Sequence, residues 1–197
     1  AGQPANGYSS EVRSALDAAL VLNALADPEG QDFASAIGNT DRNVRVGVGR
    51  NFTPGAEVKQ AFDSAVAVLA SAGYEVSDAA VPFGDPSQGD MANIESDRAG
   101  IAVDAFAHVD VIVLSTLETT VPSVEEAANN GEQGVSAEIT AFANYYGLPA
   151  VSVPCGFDSH GLPIGLQIVG RPGEERTVLG LAYRYEQAAN IGGKHPI

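Results

Sequence analysis

The chain of 197 residues has one cysteine, Cys155, so neither an intramolecular disulfide nor a cysteine-based zinc cluster is available to it. Its three histidines, His108, His160 and His195, are scattered without HxxxH or HxH spacing, which argues against a metal site. Lysine is almost missing: only Lys59 and Lys194 occur among ten basic residues, against 25 acidic ones, for a net charge of −15. A surface of that sign repels nucleic acid and anionic membranes, so neither is expected as a partner. No apolar run is long enough for a membrane-spanning helix. The start, "AGQPANGYSS", lacks the basic residues and apolar stretch of a secretory signal. A removed leader leaves no trace, so the cytoplasm is the default compartment and secretion after processing stays open. Phosphate-loop patterns are missing too, and "GVGRNF" reads as a turn before a helix. Without repeats, low-complexity tracts or a linker, residues 1–197 read as a single α/β domain.

What the chain does have is a hydrophobic fraction of 45%, enough for a sizeable core. Residues 12–26 carry Val12, Leu16, Ala19, Leu20, Asn23 and Leu25 at mostly helical spacing, with Ser9 or Ser10 as cap. "NVRVGVG" alternates like a strand. Thr53 and Pro54 then predict the cap and first turn of a helix with the stripe Val58, Phe62, Ala65, Val66 and Leu69, stopped by Gly73. "YEVSDAAVP" completes a βαβ unit. A helix is expected over about 90–107, with Ile94, Arg98, Ile101 and Ala105 on one side. The apolar run "VDVIVLS" after it suits a strand buried on both faces. An acidic loop over 123–134 and a helix ended by Gly147 lead to the strands "PAVSVP" and "IGLQIVG", joined by "CGFDSHGLP". A last helix over about 173–190 turns Val178, Leu181 and Tyr185 inward. The expected architecture is a mostly parallel mixed sheet of about five strands, with about five helices on both faces.

A thiol, an acid and an imidazole lie close together in the segment Cys155–Asp158–His160. A nucleophilic cysteine needs a thiolate-stabilising environment and a base within reach. Cys155 follows "VSVP" at a strand end, where a lone cysteine packs as a small apolar residue. His160 sits in a "DSHG" turn, where Asp and Gly serve the backbone. The packing reading is favoured, with an independent Cys/His hydrolase using Cys155 as the alternative. His108 closes a helix before a strand, and His195 lies in the tail.

The stretch "NYYGLPAVSVPCGFDSHGLPIGLQIVGRPGEERTVLGLAYRYEQA" resembles the C-terminal end of the amidase signature family. The family pattern runs Asn-x-x-Gly-x-Pro-Ala, then Pro-x-Gly, then Gly-Leu-Pro-x-Gly-x-Gln. Asn144, Gly147, Pro149, Ala150, Pro154, Gly156, Gly161, Leu162, Pro163, Gly165 and Gln167 fall on it. "ALDAALVLNALADPEGQD", "VRVGVGRNF" and "VDVIVLSTLETTVP" resemble further family segments in the same order, so the likeness covers residues 10–190. The resemblance implies hydrolysis of the carbon–nitrogen bond of an amide. It also implies that the Ser-cisSer-Lys chemistry belongs to another half of the fold, because no Gly/Ser-rich catalytic stretch occurs here. "GYSSEV" pairs serines without flanking glycines, and neither lysine sits where the family's catalytic one does. Residues 83–108 also replace a longer helical insertion, and Leu114-Ser115-Thr116 replaces a common Thr-Pro-Thr.

By the same resemblance, Thr116, Thr120, Pro122, Cys155 and Gly156 are the substrate-pocket candidates. No catalytic residue is assigned, and neither a cofactor nor a metal is called for. The expected function is a C-terminal or reduced amidase that needs a missing N-terminal half to act on a small-molecule amide. The competing reading is a non-catalytic amidase-like binding module. In either case the apolar strands predict an open sheet surface, through which the chain forms a homodimer or binds a partner carrying the missing half.

Overall fold

The computed structural model describes residues 10–25, 32–39, 43–82, 94–130 and 138–191. Lys194 and His195, and residues 83–93 between the second and third strands, with the expected start of a helix at about 90, lie outside the described residues. The elements run α1 (Ala15–Leu25), α2 (Phe33–Ala36), β1 (Arg45–Gly49), α3 (Ala56–Ser71), β2 (Glu75–Ala79) and α4 (Ile94–Asp104). They continue with β3 (Val111–Ser115), α5 (Val124–Asn130), α6 (Glu138–Tyr146), β4 (Ala150–Phe157), β5 (Pro163–Gly170) and α7 (Glu175–Ala189).

The five strands form one sheet in the order β2-β1-β3-β5-β4. β1 pairs parallel with β2 and β3, while β5 pairs antiparallel with both β3 and β4. Four strands therefore point the same way and β5 alone is reversed, as a tight β4–β5 hairpin requires. β3 is central and fully buried, which explains its uninterrupted apolar run. At one edge β2 exposes Glu75, Ser77 and Asp78, charges that discourage further pairing.

Helices cover both faces. On one, Val46, Val48, Val111, Val113, Leu166 and Ile168 meet α3 and α7. The α3 stripe Val58, Phe62, Ala65, Val66 and Leu69 is buried, each large side chain contributing about 1.5–3 kcal/mol. On the other face Ile112, Leu114 and Val169 meet Ile101 of α4 and Ile139 and Phe142 of α6. α6 reaches along β5 as far as Gln167, whose side-chain amide donates to the Ile139 carbonyl at 3.4 Å. Beyond that point no helix covers Gly165, Ser152 or Pro154 among the described residues. Among those residues no helix is long and apolar enough to cross a membrane.

Several local expectations need correcting. α1 is capped by Ser14, whose Oγ accepts the Asp17 N–H at 3.1 Å, and not by Ser9 or Ser10. Its buried side is the small-residue side, Ala15 and Ala19, which lets it approach α7 and α2 closely. Leu16 and Leu20, expected inside, are 40% and 53% exposed. α3 begins two residues late, at Gly55. The Glu118 backbone carbonyl accepts the Gly55 N–H at 2.8 Å and the Glu118 carboxylate takes that of Thr53, so the chain stays extended through Pro54. Part of the expected acidic loop is helical, as α5. Ser123 and Glu126 form a reciprocal cap there, the Ser-x-x-Glu signature that the sequence displays as "SVEE". With α2 and α5 added, seven α-helices occur among the described residues.

Candidate functional site

The uncovered end of the sheet forms a groove with a volume of about 340 Å³. Its floor is Thr116, just past β3, with Ser152 and Pro154 on β4 and Gly165 on β5; Thr120 and Val121 wall one side, and Val12 contributes from ahead of α1. The Thr116 and Ser152 hydroxyls are hydrogen-bonded to each other at 2.6 Å. That contact depends on Gly165. A Cβ there would lie 2.4 Å from Thr116 Oγ1 and 2.7 Å from Ser152 Oγ, both closer than atoms tolerate.

Of the five expected pocket residues, Thr116 and Thr120 line this groove, while Pro122 follows it in the loop without lining it. Cys155 and Gly156 belong to the opposite face. Cys155 shares the face of Val151 and Val153 by simple alternation, and the β4–β5 register slip between Pro154 and Gly156, a bulge, turns Gly156 to that same face toward α3. Cys155 is buried among the residues packed on α3 and α7. A Cβ on Gly156 would come within 2.8 Å of the Ala61 Cβ, so this glycine permits the close approach of α3. Ser152 and Gly165 escaped the sequence reading as groove residues. The i, i+2 spacing of Ser152 and Pro154 marks one face of β4, but nothing local shows that this face lacks a helix.

The Cys–Asp–His cluster does not assemble. Burial pushes the Cys155 thiol up to about 12, the reverse of what a nucleophile needs. Asp158 organises the hairpin turn, its carboxylate accepting the N–H groups of His160 at 2.9 Å and Leu162 at 2.8 Å. His160 itself is exposed. The turn is pinned to α3 through Glu57, which accepts the Ser159 N–H at 2.7 Å and its hydroxyl at 3.1 Å. Lys59 is ion-paired with Asp63 one turn along α3, away from the groove. Asp110, at the opposite end of β3, is held by both guanidinium nitrogens of Arg45, at 2.8 and 3.0 Å, and by Arg171 at 3.3 Å. Its carboxyl is thereby kept below the usual carboxylate range, chiefly by the Arg45 hydrogen bonds. This cluster clasps strand ends far from the groove. No group of three or more metal-ligating side chains occurs among the described residues.

Comparison with known proteins gives a consistent answer. The family described as Amidase matches residues 90–179, which include the groove residues of β3, β4 and β5. A glutamyl-tRNA(Gln) amidotransferase subunit from Brevibacillus brevis is 48% identical over 92 residues, 46% of this chain and 19% of that protein. Fatty acid amide hydrolase of Arabidopsis thaliana is 46% identical over 101 residues, 48% of this chain and 17% of that one. Within residues 90–179 the chain is similar to the amidase family.

The fold agrees with that likeness. A solved 6-aminohexanoate cyclic dimer hydrolase complexed with substrate superposes with a TM-score of 0.71 at 23% identity, covering 93% of this chain and 55% of that one. The solved glutamyl-tRNA(Gln) amidotransferase subunit from Thermotoga maritima gives 0.69 at 20% identity, covering 93% and 53%. The chain thus spans about half the length of the solved relatives, and its sequence matches cover under a fifth of the curated ones. The motif positions have concrete tasks in it. Gly147 and Gly161 adopt φ of +65° and +79°, left-handed backbone that ends α6 and closes the hairpin.

Proposed function

We propose that this chain supplies the scaffold half of an amide hydrolase, with the groove at Thr116, Ser152 and Gly165 forming one wall of the substrate pocket. The groove itself carries the reading. It offers hydroxyl donors and acceptors that can orient a polar amide, beside apolar walls that can take its acyl part. Among the described residues it presents no nucleophile with a base beside it, since its two close hydroxyls satisfy each other. Hydrolysis then requires a second polypeptide segment that brings the nucleophile, its base and the oxyanion donors. The substrate is a small-molecule amide, and the cytoplasm is the compartment this reading assigns.

The test uses a serine-directed fluorophosphonate and a panel of simple amides. The chain alone should be neither labelled nor active. Combined with the part of the Thermotoga maritima relative lying outside the portion that superposes on this chain, it should gain both properties. Stoichiometric serine labelling with turnover by the chain alone overturns the proposal.

A further inference from the structure

We infer that the completing part of the amidase fold docks on one surface of this chain: the outward side of α1 together with the adjoining groove. The inference rests on the scaffold reading above and adds where the partner binds. Two independent features mark the place. The first is α1. Its sequence carries leucines at helical spacing, as a buried helix would, yet Leu16 and Leu20 are 40% and 53% exposed while the alanine side packs inward. A local pattern that demands burial and does not find it among the described residues points to a further neighbour. The second is the groove, where α6 stops short and the face of β4 and β5 has no helix over it among the described residues. Val12, 41% exposed, and Val121, 47% exposed, both line it. Val12 lies one turn's worth of chain ahead of Leu16, so the two apolar areas adjoin. Apolar surface gathered in this way commonly marks a contact site.

The occupant follows from the length of the relatives and from the edge of the sheet. Solved structures with this fold carry nearly as much chain again beyond the matched part, 45% of one of them, the complement of the 55% covered. That additional chain needs an apolar face to pack against. A second copy of this chain fits less well. At a net charge of −15 two copies repel. The β4 edge also resists strand-to-strand pairing. The Gly170 N–H donates to the Pro149 carbonyl at 2.9 Å, and in an antiparallel ladder the alternate residues Val151 and Val153 then face β5. Ala150, Ser152 and Pro154 turn their backbone groups outward, and Pro154 has no N–H to offer. The partner therefore docks mainly through side-chain packing on α1 and in the groove, not by extending the sheet along the whole of β4.

The experiment co-expresses this chain with the same Thermotoga maritima segment and reads co-purification, affinity and hydrogen exchange. Binding should protect amides of α1 and β4, and Leu16→Glu with Leu20→Glu should weaken it at least tenfold. Because both leucines are exposed, this variant should keep the wild-type melting temperature. Val103→Glu, on the still more exposed side of α4, 72% exposed and not among the groove residues, should change nothing. On the chain alone, wild type should bind an apolar dye and the Leu16/Leu20 variant should lose most of that signal. Protection elsewhere, a complement that stays insoluble or unbound beside the wild-type chain, or absence of dye binding overturns the inference. So does a homodimer in sedimentation that the Leu16/Leu20 variant abolishes. A complex that forms through α1 but hydrolyses no amide leaves the docking surface standing and removes the scaffold function instead.

Discussion

Thr116 Oγ1 and Ser152 Oγ meet at 2.6 Å across Gly165, joining β3 to β4 over the one strand that runs between them. Backbone pairing alone cannot connect these two strands, because β5 separates them. The side-chain bridge fixes the floor of the groove, and it exists only because β5 presents a bare Cα at that position.

Gly165→Ala should therefore destabilise by about 1–3 kcal/mol, the usual cost of overpacking. Left-handed backbone plays no part at this position, so the penalty is steric. In a Thr116→Ala background the nearest clashing atom is gone, and the same change should cost less. Urea unfolding of the four proteins in this double-mutant cycle checks the point. Equal costs in both backgrounds would show that the crowding at Gly165 comes from elsewhere.

Cys155 gives a second test. A small buried group with no chemical duty predicts that Cys155→Ala costs about 1 kcal/mol and leaves any activity of the completed protein unchanged. Its thiol, pushed up to about 12 by burial, should resist alkylation in the native state at pH 8 and react at a rate set by unfolding. Rapid native-state alkylation already complete at pH 6 would restore the nucleophile reading.

The sequence made the sheet legible because its strands are punctuated and its βαβ unit is local. The stripe on α3 and the inward residues of α7 follow the same logic, since a single repeating period decides each of them. What periodicity could not settle was which apolar side of α1 this chain buries. Leucines and alanines both recur at helical spacing, and the choice depends on α7, some 160 residues away in the chain. The groove was partly legible for a similar reason. Thr116 and Thr120 came from the resemblance; Cys155 falls on the α3 face by the alternation of Val151 and Val153, whereas Gly156 reaches it through a one-residue bulge that no alternation pattern announces. The α5 cap is written in "SVEE", a signature that the reading of 123–134 as a loop passed over.

The attachment of α1 to α7 should respond to pH. Both carboxylate oxygens of Glu186 accept the Ala15 N–H, at 3.1 and 3.2 Å, at the start of α1. Burial raises its pKa above the ordinary glutamate value of 4.5; the Ala15 hydrogen bond works against that rise and the nearby Asp17 charge adds to it. A raised value means that the folded protein binds this proton more readily than the unfolded chain does. The stabilisation linked to the proton is then fully present below the ordinary glutamate value and is lost as pH rises through the raised one. Glu186→Gln keeps an oxygen to accept from Ala15 but cannot ionise. Its stability should fall less than that of wild type between pH 4 and pH 8, and the protection of α1 amides, relative to their intrinsic exchange rate at each pH, should vary less over the same range. Asp17→Asn removes only the charge–charge part and should produce a smaller change in the same direction. If wild type and Glu186→Gln lose stability in parallel as pH rises, the burial of this carboxylate does not control how α1 is held.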